Sequence, residues 1–196
     1  NRWFIEALSY MTFGLFGSLI IGLILETIGN QTLIPQLNLS FLADIGEVAG
    51  SLTGAAIGVA IAHGLGAKPL VIYSCAIVGT LGFDTFGGGA VGAYIATLVI
   101  VELSQFYAGK TKIDIIVAPM ATIIGGGAIA LLFGPILNSL MTALGGIINA
   151  ATDQQPFIMG IIVAVIFGLT LTAPISSAAL ALMLDLSGLA AGAAAI

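Results

Sequence analysis

The chain has 196 residues, of which 59% are hydrophobic and 7% charged; four Lys or Arg, nine Asp or Glu and one His give a formal net charge of −5. Soluble domains carry about 25% charged residues, so this chain lacks the polar surface to hydrate a globule, and a mean hydropathy of +1.20 makes lipid its solvent. No cluster of Lys or Arg could neutralise phosphates, which excludes a nucleic-acid partner, and the single Cys75 excludes an internal disulfide.

Taken in chain order, the apolar runs predict an all-α, polytopic transmembrane bundle, since a spanning helix needs roughly 20 mostly apolar residues. An amphipathic stub, NRWFIEALS, places Trp3 and Phe4 as interfacial anchors. A first span follows over residues 10–28, then the polar stretch GNQTLIPQLNLS with Pro35. A second span covers 46–65, preceded by Asp44 and Glu47 in the spacing of a capping box, with Asp in place of the usual Ser or Thr. Pro69 opens a short third span over 70–83, and a fourth covers 90–106. The turn AGKTKID leads to a fifth over 115–133, and 134–151 is a weaker, Gly-interrupted stretch. A sixth covers 157–171, and TAPISSAALALMLDLSGLAAGAAAI reads as a short or broken helix. No small-residue cleavage site follows the first apolar stretch, so that stretch reads as a span and not as a signal peptide. The run 189–196 ends while still apolar, which predicts a single transmembrane domain, 1–196, that is part of a longer protein.

If the spans alternate, Arg2, Lys68, Lys110 and Lys112 fall on one side, the cytoplasmic one by the positive-inside rule. Asp44, Glu47, Asp84 and Asp153 then fall on the other. Gly50, Gly54, Gly58, Ala62 and Gly66 recur every four residues and predict a ridge against which another helix packs closely. Gly88, Gly92 and Ala96 repeat the pattern in the fourth span. Cys75, in an apolar run, reads as a small core residue.

Two apolar segments break into glycine, proline and hydroxyls: TLGFDTFGGG at 80–89 and LTLTAPISS at 169–177. Irregular backbone at membrane depth is tolerated only where protein or a water-filled cavity satisfies it, and paired broken helices mark the solute site of many transporters. Each break is either such a site or a surface turn between hairpin helices. The candidate solute-binding residues are Asp84, Thr85, Gly87 and Gly88 in the first break and Thr172, Pro174, Ser176 and Ser177 in the second. His63, near the end of the second span, could bond a solute hydroxyl, move a proton, or be an interfacial histidine bonded to backbone. Glu26 and Glu102 read as interfacial or paired, and Asp185 interrupts an apolar helix. The order Pro, apolar run, Gly, Thr, breaker and small residues is shared by the segments from Pro69 and Pro156, which suggests an internal repeat. One His and one Cys supply neither a nucleophile–base pair nor a metal cluster, so neither an enzyme nor a cofactor is indicated.

At QQPFIMGIIVAVIFGLTLTAPISSAALALMLDLSGLAAGAAAI, with DIIVAPMATIIGGGAIALLFGPILNSLMTALGGIINAAT before it, the chain resembles the EIIC-like membrane proteins, including the perfringolysin-regulator-like branch. These are relatives of the sugar-translocating subunit of the bacterial phosphotransferase system. The resemblance extends over nearly the whole chain. It implies a bacterial inner-membrane permease for a sugar-like solute, with re-entrant elements, surrounding membrane lipids, a homodimer, and a cytoplasmic phospho-carrier as partner. A membrane-embedded sensor that binds its ligand without transporting it is the alternative.

Overall fold

The computed structural model describes residues 2–30, 39–154 and 161. Every regular element among them is helical. A π-helical turn, Arg2–Glu6, leads into α1 (Ala7–Leu15), a second π-helical turn, Phe16–Ile20, and α2 (Ile21–Gly29). Backbone torsions stay helical across the junctions, so Ala7–Gly29 is one apolar helix of 23 residues. At 1.5 Å per residue it measures about 35 Å, which exceeds the roughly 30 Å hydrocarbon core.

The return pass is α3 (Ser40–Ser51) followed by α4 (Thr53–Gly64), bent by 52°. The bend falls inside the expected span over 46–65. Leu52, at φ −93° and ψ 9°, leaves the helical basin. Its neighbours supply local partners: Ser51 Oγ donates to Val48 O at 2.8 Å, and Thr53 Oγ1 to Gly50 O at 2.6 Å. Hydroxyls that bond back into the helix are a recognised cause of such bends. The capping box at Asp44 and Glu47 is corrected. A cap residue needs non-helical backbone, whereas α3 starts at Ser40 and carries both acids as exposed interior positions.

Next come α5 (Pro69–Thr80), with Pro69 in the first turn where its missing N–H is harmless, a π-helical turn Leu81–Thr85, α6 (Gly89–Ser104), and α7 (Asp114–Gln154). The fifth span and the weaker stretch after it are thus one continuous helix of 41 residues, with Pro119 and Pro135 inside. Pro135 breaks one backbone bond, and Ser139 Oγ donates back to Pro135 O at 2.9 Å. Among the described residues, two helices are long and apolar enough to cross a membrane, Ala7–Gly29 and Asp114–Leu140, or three if the bent pair counts as one span. Pro69–Thr85 and Gly89–Ser104 are shorter.

Glycines decide how closely these helices pack, because lipid offers no hydrophobic drive between them. A Cβ on Gly54 would lie 2.8 Å from Gly79 O, and one on Gly58 would collide with Cys75 O, so α4 and α5 touch backbone to backbone. The fourfold ridge divides, however. A Cβ on Gly50 meets nothing within 4 Å, because the bend at Leu52 turns that position away from α5. Gly66, at φ +70°, forms the turn after α4. The second ridge holds as expected: Gly88 and Gly92 pack on Gly82, and Ala96 is buried.

Met11, Leu15, Ile57, Ile61, Val71, Val78 and Val101 form the core with Cys75, which is fully buried. Between α6 and α7, the one hydroxyl proton of Thr122 goes to Ala118 O at 2.7 Å, so Tyr107 must donate to Thr122 Oγ1 at 2.8 Å. By contrast, the buried residues of α2 and α3 are Gly22 and Gly46, which face each other. That pair packs on itself and presents its large apolar side chains, among them Ile24, Ile28, Phe41 and Ile45, outward.

Candidate functional site

The first break closes the α5–α6 hairpin. Phe86 N donates to Leu81 O at 3.0 Å, Gly87 N to Asp84 O at 3.2 Å, and Gly88 N to Gly82 O at 3.1 Å. Gly87 and Gly89 hold φ values of +69° and +57°, which a Cβ disfavours. The N–H groups of Gly87 and Gly88 thus bond within the turn. The side chains remain available: Asp84 and Thr85 are exposed at the tip, while Gly88 is buried.

The tip is seated on α7. A Cβ on Gly134 would lie 2.5 Å from Phe86 O, and one on Gly87 would lie 3.5 Å from Asn138 Nδ2. Asn138 therefore joins the first break, a residue that sequence reasoning missed. Its signal was present as a lone amide in the apolar run LLFGPILNSL, one helical turn after Gly134. Beside the same hairpin a groove of about 290 Å³ is lined by Ala55, Ala76, Ile77, Thr80 and Leu81. Thr80 Oγ1 donates to Ala76 O at 3.0 Å, so this groove is apolar in character.

His63 lies elsewhere. It is exposed in the last turn of α4, and its carbonyl accepts from Gly66 N at 2.9 Å. The close approaches of Gly54 to Gly79 and of Gly58 to Cys75 set the register of α4 on α5. Counted along that register, His63 and Asp84 stand about 21 Å apart along the helix axes. Thr172, Pro174, Ser176 and Ser177 lie outside the described residues, as do Asp185 and, apart from residue 161, the last two apolar segments and the second half of the suggested repeat.

The opposite end of the bundle gathers the basic residues. Lys68 Nζ donates to Ala108 O at 2.7 Å, and Gly109 N to Asp114 Oδ1 at 2.6 Å. Trp3 Nε1 donates to Glu102 Oε1 at 3.1 Å, Gln105 Nε2 to Glu102 Oε2 at 2.9 Å, and Tyr94 OH to Trp3 O at 2.5 Å. Glu102 is thus paired, and the stub that contains Arg2 is fastened to α6 at the lysine end. A cleft of about 580 Å³ opens here between the α4–α5 and α6–α7 turns, lined in part by Leu65, Lys68, Val101, Ser104, Gln105 and Lys110.

Among the described residues, no group of three or more His, Cys, Asp or Glu is placed to hold a metal ion. The chemistry on offer is hydrogen bonding by a carboxylate, a hydroxyl and an amide at one end, and cationic attraction at the other. No curated protein and no solved structure matches the chain. The family model described as "Phosphotransferase system, EIIC" matches residues 5–196. The chain belongs to the EIIC family of the phosphotransferase system, a family of membrane transporters.

Proposed function

We propose that this chain forms part of a bacterial permease that moves a small polar solute, a sugar, across the cytoplasmic membrane. The observation that carries the reading is the α5–α6 hairpin. Pro69–Thr85 measures about 26 Å and Gly89–Ser104 about 24 Å, against roughly 30 Å of hydrocarbon. With its lysine end at one interface, the hairpin ends inside the apolar layer and holds Asp84 and Thr85 there. Gly87, beside them, meets Asn138. Polar side chains at such depth are costly unless a cavity or a ligand uses them. A carboxylate, an amide and a hydroxyl suit the hydroxyl groups of a sugar.

Thr172, Pro174, Ser176 and Ser177 supply the second half of this solute site, and His63 serves the lysine-end mouth and not the tip. The working form is a homodimer in the inner membrane, and a cytoplasmic phospho-carrier meets the lysine end. In the alternative reading, the same site senses a ligand without moving it. Uptake of labelled sugars into proteoliposomes, with thermal stabilisation by the same sugars, tests both. A sugar that is taken up and that stabilises the protein, with both effects lost in Asp84→Asn, supports the permease. Stabilisation without uptake favours the sensor, and no response to any sugar overturns the solute class.

A further inference from the structure

The lysine-end cleft has a lining that neither packing nor orientation explains. Positive-inside bias accounts for lysines at this end of the bundle; it does not require two of them to line one hollow. Lys68 and Lys110 line the cleft, and no carboxylate is found among its described lining residues. Two acids bonded to residues of the lining or the stub are engaged: Asp114 Oδ1 accepts from Gly109 N, and Glu102 accepts from Trp3 and Gln105. An ammonium has three N–H donors, and Lys68 directs one of them to Ala108 O. Lys110 Nζ stands 6.0 Å from the centroid of the Phe106 ring, at the outer rim.

The same hollow has an apolar side. Leu65 and Val101 lie in its wall, and Leu103, Phe106 and Ile113, close in sequence to lining residues, are exposed large side chains. These residues sit near where α4 and α6 end and α5 and α7 begin, the end that the proposed function, on which this inference rests, sets at a membrane interface. The ligand chemistry that fits is a phosphate carried on an apolar body. We propose that this cleft binds the phosphate headgroup of an anionic phospholipid, with Lys68 and Lys110 on the phosphate oxygens and the acyl chains along the Val101–Phe106 side. Its volume is in the range of ordinary ligand sites, and basic pockets between membrane helices are known to take such headgroups.

The test uses the full chain in detergent, titrated with short-chain phosphatidylglycerol, with phosphatidylcholine of equal chain length, or with inorganic phosphate, and read by native mass spectrometry and thermal stability. Phosphatidylglycerol is expected to bind selectively. Lys110→Gln should weaken it about fivefold, since each basic residue near an anionic surface is worth about 1 kcal/mol. Lys110→Arg should retain it, and Lys112→Gln, outside the cleft lining, should change it less than twofold. Equal binding of phosphatidylcholine, or equal effects of Lys110→Gln and Lys112→Gln, would overturn the site. Equal protection by inorganic phosphate would identify a soluble ligand and overturn the lipid assignment. Circular dichroism of Lys110→Gln separates lost binding from lost fold.

Discussion

Replacing Gly58 by alanine puts a methyl group where α4 already touches α5. The new Cβ would collide with Cys75 O and approach Gly79 Cα at 3.1 Å. Both obstacles are backbone, so no rotamer change relieves them and the helices must part. Overpacking of this kind costs about 1–3 kcal/mol. Alanine also gains about 0.8–1.0 kcal/mol over glycine in a helix interior, so the clash is best isolated against a second glycine that has room. Gly50 is that control, because a Cβ there meets nothing within 4 Å. We expect Gly58→Ala to unfold about 4–8 °C below Gly50→Ala, taking about 2 kcal/mol and 2–4 °C per kcal/mol for a domain of this size. Cys75 supplies the assay. It is the chain's single cysteine and is fully buried, so a fluorogenic thiol reagent in a thermal ramp reports the opening of the core. Equal midpoints for the two variants would refute backbone contact between α4 and α5.

Three further outcomes follow from the same geometry. On a Cys75→Ser background, Lys110→Cys should label from one side of a sealed vesicle and Thr85→Cys, through the solute site, from the other, and labelling of both from one side alone would refute a hairpin whose tip opens toward the far side. Gly87→Ala, at φ +69°, should cost about 1–2 kcal/mol of strain although its Cβ would make only ordinary contact with Asn138, whereas Gly17→Ala, which meets nothing within 4 Å, should cost nothing measurable in the same thermal ramp. Thr122→Val leaves the half-buried Tyr107 hydroxyl without its acceptor and should cost about 1–3 kcal/mol. Tyr107→Phe leaves the Thr122 bond to Ala118 O in place and should cost less, so the order of the two thermal midpoints checks which residue donates.

The candidate site was legible in part. Glycine, threonine and an acid inside an otherwise apolar run marked 80–89 as a break, because such residues cannot continue a lipid-facing helix unsupported. That Gly87 and Gly88 use their own N–H groups within the turn was not legible, since it depends on the positive φ at Gly87 and on π-type bonding from Phe86 back to Leu81. Asn138 was visible as a lone amide, yet nothing local ties a residue on α7 to a turn fifty residues earlier. His63 and Asp84 were both candidate solute residues, and the antiparallel register of α4 on α5 sets them about 21 Å apart along the helix axes.

Composition and hydropathy by themselves determined that this chain lives in lipid, roughly where its first five helices run, and that its basic residues gather at one end. Those properties follow from the cost of leaving charge and backbone groups unsatisfied in hydrocarbon, which each residue incurs independently of its neighbours in space. The bend at Leu52, the split of the glycine ridge between packing at Gly54 and Gly58 and open space at Gly50, and the unbroken course of α7 through Pro135 were decided by tertiary structure. Each depends on which helix stands opposite at a given level. Close packing and hydrogen-bond exchange between helices act over a few ångströms, and a distance of that kind is a property of the fold and not of the order of residues.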